Sequence, residues 1–274
     1  RSHNCGGTRQ LPTLLLSAST TTGRAGSRPA SARRKRCAPA AFVLNNMIAL
    51  GSRDKGEVDP GTSMCCFVQA FKILQSRKPN IYRHIFSNDR VFQIQFANES
   101  GVDAGGVFRE GVSAMIQDLF SDHFTLFILC PNGQHETHMN CDKFIPNPKH
   151  TSPLAMAQIE FVGKLMAMSL RAKLMLPFDF PSIVWKILGG ETPDLSDLQS
   201  VDAITCSLLK ALRTCEDDGI FDQESFAAKY KTKLMWTYNG SDGVERELYK
   251  GSSTRVVTYE TKNEYCDQVE RARL

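Results

Sequence analysis

Val91-Phe92-Gln93-Ile94-Gln95-Phe96, and then Gly101-Val102-Asp103-Ala104-Gly105-Gly106-Val107-Phe108-Arg109-Glu110, decide how this chain folds. In the first run Val91, Gln93 and Gln95 alternate with Phe92, Ile94 and Phe96, the period of a half-buried strand. After the glycines, Phe108, Val112, Met115, Ile116, Leu119 and Phe120 recur at helical spacing. A glycine-rich turn between a strand and a helix suggests a phosphate cradle. However, Gly101, Gly105 and Gly106 match neither the dinucleotide spacing nor a Gly-Lys-Ser/Thr ending, and no lysine comes after them to reach a phosphate. Asp103 is placed to cap the helix, and Arg109 with Glu110 can satisfy charges where the turn packs. These three residues read as scaffold rather than as acid, base and anchor.

The stretch resembles the turn near the start of the HECT domain of ubiquitin ligases, and the later segments of the chain keep that family's order. Pro131-Asn132-Gly133 and Phe144-Ile145-Pro146-Asn147-Pro148 are similar to the segment after its first long helix. Ser152-Pro153-Leu154 leads into Glu160-Phe161-Val162-Gly163-Lys164-Leu165-Met166, similar to its buried central helix. Pro181 to Lys186, Leu195-Ser196-Asp197-Leu198, Val257-Thr258 and Glu264-Tyr265 come next in register, much as in the HERC-like members. Two departures stand out: Ala167 where many members carry Gly, and Thr261 where an Asn is common. The resemblance implies an α+β fold, a mostly helical amino-terminal HECT lobe over about residues 60–274, with a small hairpin-bearing subdomain at about 200–256.

Composition is compatible with that. The 274 residues are 42% hydrophobic and 23% charged, ordinary for a globular chain long enough for one large core or two modest ones. The net charge of +4 comes from one end: residues 1–40 hold eight Lys/Arg and no acid, while the remainder holds 25 basic and 29 acidic residues. The mildly acidic remainder carries no nucleic-acid footprint. Nine cysteines without framework spacing argue for a reducing compartment, cytoplasmic with the nucleus as alternative. No run reaches the roughly 20 apolar residues of a membrane span.

Residues 1–40, rich in Ser, Thr, Arg, Ala and Gly around Arg33-Arg34-Lys35-Arg36, read as a disordered basic tail. The chain starts at Arg1 and stops within a helical pattern, so it is expected to be a piece of a longer protein. Thr125 to Cys130 reads as a strand closed by a turn at Pro131-Asn132-Gly133. Ser152-Pro153 opens a helix that is apolar on nearly all sides, Pro181 opens another that ends at Gly189-Gly190, and Asp202 caps a third. A hairpin then runs from Leu234 to Tyr249 about Asn239-Gly240-Ser241-Asp242-Gly243, Arg255 to Val257 is a short strand, and Thr258 caps the terminal helix.

Three constellations could carry chemistry. Cys130, His135, His138 and Cys141 have a spacing that would let zinc close a small loop, although surface loops often hold His and Cys without metal and the resemblance implies no metal or cofactor. Thr205-Cys206 and Thr214-Cys215 copy only the Thr-Cys pair of the family's His-Thr-Cys-Phe-type acceptor motif, which belongs to a second, catalytic lobe expected beyond this chain. Cys215 lies beside Glu216, Asp217 and Asp218, and neighbouring carboxylates suppress a thiolate. No cysteine here reads as a nucleophile.

The third constellation spans Asp202 to Tyr249, where the resemblance places docking of the ubiquitin-conjugating enzyme. A short amphipathic helix (Ile204, Ser207, Leu208) precedes an acidic loop and a hairpin carrying Leu234, Met235 and Trp236. Aromatic and Met side chains on so small an element suit a partner groove, while mutual packing of Trp236 and Leu208 would be the plainer explanation. The resemblance implies conjugating enzyme and ubiquitin as partners, with transfer from a cysteine thioester to a lysine of an unspecified substrate. The alternative is a non-catalytic module that binds a conjugating enzyme without transfer.

Overall fold

The structure, a computed structural model, describes residues 41–83, 90–99, 106–137, 139–230 and 234–274. The basic tail and the turn at 101–105, with Asp103, lie outside the described residues. Along the chain run β1 (Ala41–Leu44), α1 (Asn46–Asp54), α2 (Cys66–Leu74), β2 (Gln93–Phe96), α3 (Gly106–Leu119), β3 (Phe127–Leu129), α4 (Pro131–Gln134) and β4 (Phe144–Pro146). Next are α5 (Pro153–Arg171), α6 (Ser182–Gly189), α7 (Leu195–Val201), α8 (Ala203–Arg213), α9 (Gln223–Lys229), β5 (Thr237–Asn239), β6 (Glu245–Glu247) and α10 (Lys262–Arg273). The fold is α+β and largely helical, with three two-stranded sheets among the described residues.

β1 and β2 pair in parallel, from Ala41↔Gln93 to Leu44↔Phe96. Parallel strands need a long crossover, and here it contains α1 and α2. Phe42, Leu44, Ile94 and Phe96 point inward, where they meet Phe108, Val112, Met115, Ile116 and Leu119 from α3, so the helical spacing read from the sequence is the buried face of α3. Gly111 permits this contact, because a Cβ there would sit 2.6 Å from Ile94 Cδ1. Phe67 of α2 packs against Phe124 and Phe161 at centroid separations of 5.5 and 5.4 Å. The buried Asp118 carboxylate accepts from the Phe67 N–H at 3.1 Å and from Arg53 at 2.5 Å, tying α3 to α2 and α1.

Several expectations need correction. Among the described residues the core already begins at β1, about twenty residues before the expected boundary at 60, because β1 and α1 contribute Phe42, Leu44 and Ala49 to it. Pro131-Asn132-Gly133 forms one helical turn rather than a strand-closing loop; Pro131 stands at its first position and needs no N–H there. The first turn of α5 does open on Ser152, whose side chain accepts from the Ala155 N–H at 3.2 Å. But α5 is not apolar-buried all round: Leu154, Met156 and Leu170 are exposed. α10 begins after Thr261, not Thr258; the two threonines bond each other through their hydroxyls at 2.9 Å. Among the described residues Arg255 to Val257 makes a single bridge, Met235↔Val256.

A second core gathers Leu209, Leu212, Cys215, Ile220, Phe226, Trp236, Val257, Tyr265, Cys266 and Val269. It therefore extends past residue 256 and takes in α10, which packs along α8. Polar clamps hold this region to α4 and the loop after it. Asn132 Oδ1 accepts from the Ala203 N–H at 2.8 Å and Gln134 donates to the Ser241 carbonyl at 2.8 Å; within the region itself, the Asp202 carboxylate pairs with Arg273.

Candidate docking groove

α8 owes its start to Asp202, whose carboxylate accepts from the Thr205 N–H at 3.0 Å, as expected from the sequence. Helical spacing then divides its faces. Cys206, Leu209 and Leu212 turn inward, while Ile204 and Leu208, one turn apart, remain 48% and 40% exposed. Across from them Leu234 and Met235 lead into β5. Between the two lies a groove of about 290 Å³, lined by Ile204, Leu208, Leu234, Met235, Tyr238 and Tyr265. Its one carboxylate, Glu245, accepts from the Thr237 hydroxyl at 2.6 Å.

Of the six residues expected to meet a partner, the structure brings Ile204, Leu208, Leu234 and Met235 to one groove. Ser207 is exposed on α8 but does not line it. Trp236 is the correction: it is fully buried and offers no surface to a partner. Strand alternation sends Met235 and Trp236 to opposite faces. Trp236 is also pinned by its backbone, donating to the Arg255 carbonyl at 3.0 Å and accepting from the Ser252 hydroxyl at 2.6 Å. Its ring meets Tyr265 edge-on at 5.9 Å, and the Arg255 guanidinium lies 3.9 Å above it. Two contributors escaped the sequence reading. Tyr265 and Val269 of α10 help line the groove, and the signal was present in the helical spacing of Tyr265, Cys266 and Val269. Phe221 stands 66% exposed at the end of the acidic loop.

That loop is anchored to α10. Glu216 accepts from Lys262 at 2.5 Å and from the Tyr259 hydroxyl at 2.9 Å, and these bonds hold its carboxyl at about 2, below its ordinary 4.5. In the hairpin turn, Arg246 grips Asp242 with two bonds of 2.6 and 2.9 Å, which likewise holds that carboxyl at about 2. Both values are depressed in the folded state. Their stabilising effect is therefore present above the ordinary carboxylate values and is lost as pH falls through that range toward 2. Glu216→Gln should remove part of this acid sensitivity. Urea unfolding at about pH 6 and about pH 3 should show a smaller loss of stability in the variant than in the wild type. An unchanged difference would mean that Glu216 does not contribute.

Five of the described thiols are held protonated by burial. Burial pushes Cys65 up to about 12 and Cys66, Cys206 and Cys266 to about 11, and raises Cys130 as well. A thiolate is what attacks, so these groups are held in the inert form at neutral pH. Among the described residues no group of three His, Cys, Asp or Glu could hold a metal. Cys130 instead donates to the Asn140 carbonyl at 3.2 Å and Cys141 to the Thr137 carbonyl at 3.3 Å, while His138 lies outside the described residues. Arg109 and Glu110 stand exposed on α3. No described helix is long and apolar enough to cross a membrane.

A family model described as HECT-domain (ubiquitin-transferase) matches residues 113–274, more than half of the chain. The chain belongs to the HECT-domain family. Mouse E3 ubiquitin-protein ligase HERC2 is 27% identical over 223 residues, covering 81% of this chain and 4% of that protein. The human probable E3 ubiquitin-protein ligase HECTD4 is 28% identical, over 67% of this chain and 5% of its own length. TOM1, an E3 ubiquitin-protein ligase of Saccharomyces cerevisiae, is 28% identical, over 70% of the chain and 6% of its length. The chain thus spans about a twentieth of these relatives. Within the HECT match fall α5 to α10 and the entire groove.

Proposed function

We propose that this chain is the conjugating-enzyme-recruiting lobe of a HECT-type ubiquitin ligase, and that the groove between α8 and the hairpin is where the conjugating enzyme docks. The observation that carries this reading is the apolar, solvent-open stripe of Ile204, Leu208, Leu234 and Met235 on a HECT-family chain. An exposed aliphatic cluster set against a well-packed core is the arrangement interface hot spots use. In this reading the whole protein receives ubiquitin from the conjugating enzyme as a cysteine thioester and passes it to a substrate lysine. Cys65, Cys206 and Cys266 are not the acceptor, because burial holds each of them toward the protonated form.

Two measurements on one set of proteins test this. A titration of the chain with a ubiquitin-conjugating enzyme should saturate, and a groove variant carrying Leu208→Asp should not bind. A non-reducing gel with activating enzyme, conjugating enzyme, ubiquitin and ATP should show no ubiquitin adduct on this chain that dithiothreitol removes. Binding that survives Leu208→Asp would place docking elsewhere. A reducible adduct would make one of the chain's own cysteines an acceptor.

A further inference from the structure

All six tyrosines of the sequence fall within described segments, and five are drawn inward. Tyr82 and Tyr265 are buried and donate to the Leu74 and Thr237 carbonyls at 3.2 and 3.0 Å. Tyr230 and Tyr259 are half-buried and donate to the Ala211 carbonyl and the Glu216 carboxylate at 3.4 and 2.9 Å. Tyr238 is half-buried in the groove wall. Tyr249 alone is exposed, at 41%, in the turn that succeeds β6 and reverses at Gly251, whose φ of +82° suits glycine. Its hydroxyl oxygen is held differently too: it accepts, from Arg255 Nη1 at 2.8 Å. Arg255 is itself exposed, and the rest of its guanidinium lies over the Trp236 ring. The exposed carboxylates Glu245 and Glu247 precede the tyrosine along the chain.

We propose that Tyr249 is a phosphorylation site for a tyrosine kinase and that Arg255 receives the phosphate. The transfer is an ordinary phosphoryl exchange. Tyr249 Oη attacks the γ-phosphorus of ATP, the bond to the β-phosphate oxygen breaks and ADP leaves, and the phenolic proton passes to the kinase's general base. The product places about −1.5 to −2 charges one P–O bond beyond an oxygen that Arg255 already touches. A planar guanidinium binds phosphate through paired, charge-assisted hydrogen bonds, a stronger contact than its present seat above an indole. Arg255 therefore turns outward onto the phosphate, and the Trp236 ring loses its cationic cover. The remaining tyrosines lack this combination of an open hydroxyl and a waiting cation.

The test uses the full chain, the isolated catalytic domain of a tyrosine kinase that accepts acidic residues ahead of its target, and Mg-ATP. A synthetic peptide of residues 243–255 reports that the kinase is competent. Mass spectrometry should find one phosphate on the folded chain, at Tyr249, and none on Tyr249→Phe, which keeps the ring and loses the hydroxyl that accepts from Arg255. A general tyrosine phosphatase should then release that phosphate several-fold more slowly from the wild-type chain than from Arg255→Gln, because the guanidinium shields it. A folded chain that stays unmodified while the peptide is phosphorylated would overturn the site, as would a phosphate found on another tyrosine. Equal release rates would overturn the role given to Arg255.

Discussion

Trp236→Ala should cost about 3–5 kcal/mol of unfolding free energy, the range for emptying a fully buried aromatic site. The ring is the largest fully buried side chain described, and it joins the face of α10, through Tyr265, to the inner faces of the hairpin and of the strand-like segment at Arg255. Its removal empties space in the core that also holds Leu209, Tyr265 and Val269, and such a loss is a large fraction of a typical domain's roughly 5–15 kcal/mol. Trp236→Phe should cost only a fraction of that. The indole N–H has no acceptor among the described groups, so phenylalanine gives up packing but no hydrogen bond. Urea unfolding monitored by circular dichroism gives both numbers. Any loss of partner binding in Trp236→Ala should track the unfolded fraction. An unaltered urea midpoint together with weakened binding would return Trp236 to the set of contact residues.

The reversed role of Trp236 shows what was legible in the sequence and what was not. Features governed by neighbours within a few residues could be read directly: the alternation feeding β2, the helical stripe of α3, and the caps at Ser152 and Asp202. The family resemblance, together with the amphipathic spacing of α8, marked Ile204, Ser207, Leu208, Leu234, Met235 and Trp236 as partner-facing, and the fold brings Ile204, Leu208, Leu234 and Met235 of these to a single groove. What escaped depends on pairings distant in sequence. β1 has four residues and no turn signature, and its partner β2 lies beyond two intervening helices. The hairpin looked too small to bury an aromatic residue, and by itself it is. α10 supplies the missing wall, and no local pattern says that it folds back along α8. Thr258 and Thr261 show the limit at finer scale. Both suit a helix start; in the fold each hydroxyl accepts from the other's backbone N–H, and the first helical residue is Lys262.

The division of α8 into an inner and an outer face leads to the most discriminating result expected of this molecule. Leu208→Ala should weaken binding of the conjugating enzyme by about 1–3 kcal/mol, roughly 5- to 150-fold in Kd, the usual cost of truncating a central interface side chain. Its effect on folding should be small, because Leu208 is already 40% exposed and alanine is the better helix former. Ile204→Ala, one turn earlier on the same face, should act in the same direction. Ser207→Ala should change little, since Ser207 lies on α8 outside the groove lining. Leu209→Ala is the opposite case: at the floor of the groove but only 1% exposed and packed in the second core, it should lower stability by about 2–5 kcal/mol. Two adjacent leucines on one helix would then separate cleanly, one through affinity and the other through stability. Isothermal titration beside urea unfolding of the same four variants resolves the two. If Leu208→Ala binds as tightly as the wild type while Leu209→Ala behaves as expected, the fold assignment stands, and the groove would not be where the conjugating enzyme binds.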